Sequence, residues 1–122
     1  MSENCSCGCG NGIKLLYSCS GAANTGLLAD SVSRKLMREN YGKMTCLAAV
    51  GAELSGFIES AKSATTNIVI DGCPVACGKK IFDKAEMAYQ HFILTDFGVE
   101  KGKTEITSEV INNISEMLIT KL

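Results

Sequence analysis

The stretch that decides the fold is Asn67-Ile-Val-Ile-Asp-Gly-Cys-Pro-Val-Ala-Cys77. Its first half is a short, continuous apolar run, the pattern of a strand covered on both faces rather than one with a wet side. Asp71 and Gly72 then mark a turn. Pro74, with its fixed φ and missing N–H, suits the first position of a helix. A buried strand that runs straight into a helix is half of a βαβ unit. On this reading Cys73 sits at the helix N-terminus and Cys77 one turn further along on the same face.

Working outward, the same alternation repeats. Ile13 to Tyr17, Met44 to Ala49 and His91 to Thr95 join Asn67 to Ile70 as predicted strands. Between and after them lie 3.6-period stretches: Leu28, Val32 and Leu36; Leu54, Ile58 and Ala61; Cys77, Ile81 and Ala85; and Val110, Ile111, Ile114, Met117 and Leu118. Thr107 is the expected N-cap of the last helix, with Glu109 in its first turn. The order βαβαβαβα predicts one α/β domain of three layers, an open parallel sheet of about four strands with helices on both faces. Residues 1 to 12 carry Gly, Ser, Asn and Cys without periodicity. They read as a flexible cysteine-rich arm ahead of a domain spanning 13 to 122.

Composition narrows the function. The 122 residues are 46% hydrophobic and 20% charged, enough for a core that needs no disulfide staples. Twelve basic and thirteen acidic side chains give a net charge of -1, with no basic stripe for nucleic acid. No apolar run reaches the roughly 20 residues that span a bilayer, and the first ten residues lack the pattern of a signal peptide. The expectation is a cytoplasmic protein without membrane or nucleic-acid partners. In that reducing setting, seven cysteines point to metal binding or redox chemistry rather than disulfides.

Parallel sheets of this type bind ligands beyond the carboxyl ends of their strands. Cys19 follows the first strand and Cys73 the third, so topology places both at that edge. The loop Tyr17-Ser-Cys-Ser-Gly-Ala-Ala-Asn-Thr-Gly26 lacks the lysine of a Walker A motif, since Leu27 follows Gly26, and has no G-x-G-x-x-G. Thr25 stands where a cysteine phosphatase loop needs arginine. What remains is a thiol near a helix N-terminus, whose dipole favours thiolate and a depressed pKa. The bland alternative is an ordinary turn with an exposed thiol, and for the later pair a buried Cys77 beside an incidental Cys73.

Cys46 fits either a mid-strand core position or a ligand near a strand end. Together Cys19, Cys46, Cys73 and Cys77 supply four sulfurs, the number that closes a tetrahedral zinc site or holds an iron–sulfur cluster. The rival reading is a thiol-redox or sulfur-transfer protein with Cys19 as nucleophile, Cys73 or Cys77 resolving, and a redox or sulfur-relay protein as partner. His91, the single histidine, starts a predicted strand at the edge opposite the site and reads as structural. Asp71 and Asp96, at predicted strand ends, either orient ligands or cap helices and turns. Cys5, Cys7 and Cys9 lie on the arm, either to deliver metal or sulfur or as a plain exposed terminus.

The segments Cys19 to Asp30 (CSGAANTGLLAD), Gly42 to Gly51 (GKMTCLAAVG), Asp71 to Lys80 (DGCPVACGKK) and Leu94 to Lys103 (LTDFGVEKGK) resemble the DGC-domain family of bacteria and archaea, described as zinc-binding. The Asp-Gly-Cys-Pro signature is Asp71 to Pro74. The resemblance implies a zinc site of Cys19, Cys46, Cys73 and Cys77, and so favours the ligand reading of Cys46. A narrower resemblance, confined to the first strand, loop and helix, is to the phosphocysteine-carrying B component of sugar phosphotransferase systems. It implies Cys19 as a phosphoryl acceptor and leaves Cys73 and Cys77 without a role.

Overall fold

The computed structural model describes residues 12–122, so Cys5, Cys7 and Cys9 lie outside the described residues. Strands β1 (Lys14–Ser18), β2 (Lys43–Met44), β3 (Thr66–Asp71) and β4 (Gln90–Ile93) form one sheet in the order β2-β1-β3-β4. Every pairing is parallel. The central pair β1 and β3 runs in register from Lys14↔Thr66 to Ser18↔Ile70. The helices are α1 (Asn24–Arg38), α2 (Leu47–Gly51), α3 (Ser55–Ser63), α4 (Cys77–Lys84) and α5 (Ser108–Ile119).

Alternating strand residues feed two cores. Leu16, Ile68, Ile70 and Phe92 pack on one face against Leu28, Val32 and Leu36 of α1 and Ile114 and Leu118 of α5. On the other face Leu15, Tyr17 and Val69 meet Leu47 and Val50 of α2, Ala61 of α3 and Phe82 of α4. The expected three-layer α/β arrangement with a four-stranded parallel sheet is what forms. The predicted α1 stripe is wholly buried, and Thr107 caps α5 by accepting from the Val110 N–H at 3.2 Å. No helix among the described residues is long and apolar enough to cross a membrane.

Several local expectations are corrected. The second strand stops at Met44 instead of running to Ala49, and Leu47-Ala-Ala-Val-Gly51 turns into α2. As an edge strand among the described residues, β2 pairs only with β1, and an Ala-rich sequence is held more readily by a helix than by a ladder with one free side. The fourth strand ends at Ile93, and Leu94–Phe97 forms a 3-10 turn that includes Asp96, so Asp96 is not at a strand end. Leu54 caps α3 and is exposed, leaving Ala61 as the buried member of that predicted stripe. In α4 the buried positions are Gly78 and Phe82, one residue off the predicted Cys77, Ile81 and Ala85 stripe.

The start of α4 differs for a physical reason. Residues 73 to 76 form a turn closed by the Ala76 N–H donating to the Cys73 carbonyl at 3.0 Å. Pro74 therefore serves the second position of a β-turn, which suits its fixed φ as well as a helix start does. Ala76 follows in the left-handed region at φ 55, and the helix begins at Cys77. A non-glycine residue there costs on the order of 1 kcal/mol, a cost that the buried packing of Ala76 offsets.

Candidate functional site

The order β2-β1-β3-β4 reverses direction between β1 and β3. The crevice outside their carboxyl ends is the topological switch point, where open α/β sheets place ligands. The Cys19 N–H extends the ladder by donating to the Ile70 carbonyl at 3.0 Å. Its side chain then turns toward β3, where the Gly72 N–H donates to Sγ at 3.1 Å. Gly72 lies so close to α1 that a Cβ would stand 2.3 Å from the Thr25 carbonyl oxygen. Glycine is required here by close approach of backbone to backbone.

The cavity at this crevice, of about 230 Å³, is lined by the loop from Cys19 to Gly26, by the loop from Asp71 to Cys77, and by Lys101. Three of the four sequence-selected sulfurs, Cys19, Cys73 and Cys77, therefore share one cavity. Cys19 and Cys73 are half-buried and Cys77 is exposed. Cys46, the residue that caps α2, is exposed and lies outside this lining. Among the described residues, no three His, Cys, Asp or Glu side chains already stand in a metal-ligating arrangement.

Electrostatics correct one expectation. Burial pushes the Cys19 thiol up from its ordinary value, against the lowering effect of the Gly72 N–H. Asp71, Cys73 and Cys77, all anions or potential anions, push it the same way as burial. The helix-dipole argument fails for Cys19 because α1 starts only at Asn24, beyond reach of a dipole effect confined to the first turn. Cys73, too, precedes its helix by a turn.

Asp71 is a cap. Its carboxylate accepts from the Gly78 N–H at 2.8 Å and the Lys79 N–H at 3.1 Å, fixing the first turn of α4 on which Cys77 sits. It also meets His91 Nε2 at 2.7 Å. His91 pairs with Val69, in the carboxyl half of β3, and its side chain reaches Asp71 at the strand's end. It is not confined to the edge opposite the site.

Two residues of the site escaped sequence reasoning. The Lys101 ammonium lies 3.4 Å from Cys73 Sγ. Its loop is fastened by Asn24, whose Nδ2 donates to the carbonyls of Glu100 at 3.1 Å and Thr104 at 2.8 Å, and whose Oδ1 accepts from the Gly102 N–H at 2.7 Å. Both residues stand in segments that carry the family resemblance, which was the one signal available.

A family model for the DGC domain matches residues 15–118. The chain belongs to the DGC domain family. This DGC-domain chain is also 31% identical over 90 residues to the anaerobic and virulence modulator AnvM of Pseudomonas aeruginosa, an alignment covering 73% of this chain and 69% of that protein. No solved structure matches it.

Proposed function

We propose that this DGC-domain protein binds a thiophilic cation, Zn²⁺, through Cys19, Cys73 and Cys77, with the fourth position open to an exchangeable ligand. The observation that carries the reading is that these three cysteines line one switch-point cavity. The donor chemistry fits: thiolates are ligands for zinc, and three protein ligands with an open position characterise exchangeable rather than structural centres. Burial chiefly raises the Cys19 thiol, with repulsion from Asp71, Cys73 and Cys77 adding to it, and a bound cation offsets both, because metal binding itself drives the thiol proton off. That same raised thiol disfavours Cys19 as a free nucleophile, since attack needs thiolate. The Pseudomonas relative is named for anaerobic modulation. An exchangeable thiolate centre is redox-sensitive, because oxidised sulfur no longer ligates.

The test is titration of reduced, chelator-treated protein with Co²⁺, following thiolate-to-cobalt absorption, in a chain with Cys5, Cys7 and Cys9 changed to Ser. One equivalent is expected to bind. Cys19→Ser, Cys73→Ser and Cys77→Ser should each lose stoichiometric uptake, whereas Cys46→Ser should retain it. Absence of uptake by the parent would refute metal binding. Loss in Cys46→Ser equal to the others would restore the closed four-sulfur site. Acid-labile sulfide in brown, anaerobically isolated protein would replace zinc with an iron–sulfur centre using these cysteines.

A further inference from the structure

The residues that hold Lys101 are more constrained than a surface lysine needs. Its loop is rooted in the core by Val99, which is buried, and by partly buried Ile106. Within it the N–H groups of Lys103 and Thr104 both donate to the Glu100 carbonyl, and the Glu100 N–H donates to Thr104 Oγ1 at 2.8 Å. The Asn24 amide adds three bonds from the first residue of α1. All of this fixes the base of a side chain whose ammonium ends beside Cys73. Among the described residues, Lys101 makes no salt bridge to a carboxylate, unlike Lys35 and Lys79. Asp71, the one acid lining the cavity among the described residues, is already committed to two helix N–H groups and His91.

We propose that Lys101, positioned by the Asn24 clamp, is a specificity-determining residue that makes the cysteine site select anionic partners for Cys73, such as carboxylate-bearing thiols or disulfides. The proposal rests on the cavity being the functional site and on Cys73 being one of its working sulfurs. It does not depend on which metal, if any, the sulfurs hold. A fixed positive charge beside a sulfur raises the local concentration of anions and stabilises their approach.

The probe is a pair of disulfides, dianionic dithiobis(nitrobenzoate) and neutral dithiodipyridine, reacted with metal-free protein at one pH and low salt. Cys73 sulfur bonds to one reagent sulfur and the reagent S–S bond breaks. From dithiobis(nitrobenzoate) the other half leaves as its thiolate and the thiol proton goes to solvent; from dithiodipyridine the other half takes up one proton on its ring nitrogen and leaves as the thione, with no net proton release. Reaction at Cys73 is read by peptide mass mapping, and the ratio of the two rates cancels the fraction of Cys73 present as thiolate.

Lys101→Met should lower the anionic-to-neutral ratio about fivefold, the effect of one charge at about 4 Å in a water-like dielectric. Lys101→Arg should keep the parent ratio, and added salt should bring the parent toward Lys101→Met. Asn24→Ala should lower the ratio, with Asn24→Ala/Lys101→Met no lower than Lys101→Met alone, because both act through one charge. An unchanged ratio in Lys101→Met, or a fall in Lys101→Arg as large as in Lys101→Met, overturns the proposal. A parent-like ratio in folded Asn24→Ala overturns the clamp's part in it. Should Asn24→Ala not fold, the uncharged Asn24→Ser takes its place. Cobalt uptake plays no part in this readout, so failure of the metal reading and failure of this one are separately visible.

Discussion

Gly72→Ala tests whether the two cysteine loops are held together by direct backbone contact. The added Cβ would stand 2.3 Å from the Thr25 carbonyl oxygen, 2.6 Å from its carbon and 2.8 Å from Thr25 Cβ. Two of these are backbone atoms in the first turn of α1, so no flexible side chain can swing away. Reaching ordinary contact requires a shift of about 1 Å between the end of β3 and the start of α1. Both are constrained: β3 is paired on both sides, and Thr25 is buried. The expected cost is about 3 kcal/mol, the upper end of overpacking, or a fall in Tm of roughly 10 °C. The shift also loosens the Gly72 N–H to Cys19 Sγ bond, which favours thiolate, so iodoacetamide should label Cys19 more slowly. Gly56→Ala is the control, because a Cβ there meets nothing within 4 Å and a helix gains up to about 1 kcal/mol from the change. Urea denaturation of both variants is the assay. Parent-like stability in Gly72→Ala, or a loss as large in Gly56→Ala, would refute the reasoning.

Removing the cap in Asp71→Ala should cost about 2 kcal/mol by urea denaturation, since two N–H groups of α4 and His91 lose their acceptor. Asp30→Ala, which breaks only the exposed pair with Arg34, should stay within about 0.5 kcal/mol. Tyr17 is fully buried and its hydroxyl has no hydrogen-bond partner among the described residues. Tyr17→Phe should therefore gain about 1 kcal/mol at neutral pH. Burial pushes the Tyr17 phenol up to about 12, whereas the unfolded phenol ionises near 10. The folded state then binds more protons above pH 10, and parent stability falls as pH rises from 10 toward 12. The gap to Tyr17→Phe should widen over that window, and a constant gap would refute the assignment.

The fold was legible where local pattern and tertiary demand agree. The runs Leu15-Leu-Tyr17 and Ile68-Val-Ile70 are buried on both faces, as continuous apolar strands must be. The α1 stripe and the Thr107 cap also needed only local information. Reading failed where two local solutions share one sequence. Cys73-Pro-Val-Ala suits a helix start or a turn, and only the packed left-handed Ala76 decides. Likewise Met44 to Ala49 is apolar enough for a strand, but at the sheet edge the chain turns into α2 after two paired residues. The site's edge and the meeting of Cys19 with Cys73 followed from topology. The reach of His91 to Asp71 and of Asn24 to the Lys101 loop did not, because contacts spanning 20 and about 80 positions leave no local pattern.

The contacts also explain why Asn24-Thr25-Gly26 stands where it does. Each of the three residues at the start of α1 holds a different loop of the cavity. Asn24 fastens the loop bearing Lys101. The Thr25 backbone packs on Gly72, between Cys19 and Cys73. At Gly26 a Cβ would press to 3.2 Å from the backbone of Gly21, in the loop that follows Cys19. The sulfurs thus come from separate loops, but one helical turn sets the distances between those loops. A change in α1's first turn should therefore disturb the Cys19 and Lys101 sides of the cavity together. A change confined to α4's cap, such as Asp71→Ala, should move Cys77 while leaving the Lys101 loop in place. Comparing label rates at Cys73 and Cys77 across Gly72→Ala, Asn24→Ala and Asp71→Ala would separate these two supports; Cys19 is left out of the comparison for Asp71→Ala, because losing that carboxylate itself lowers the Cys19 thiol.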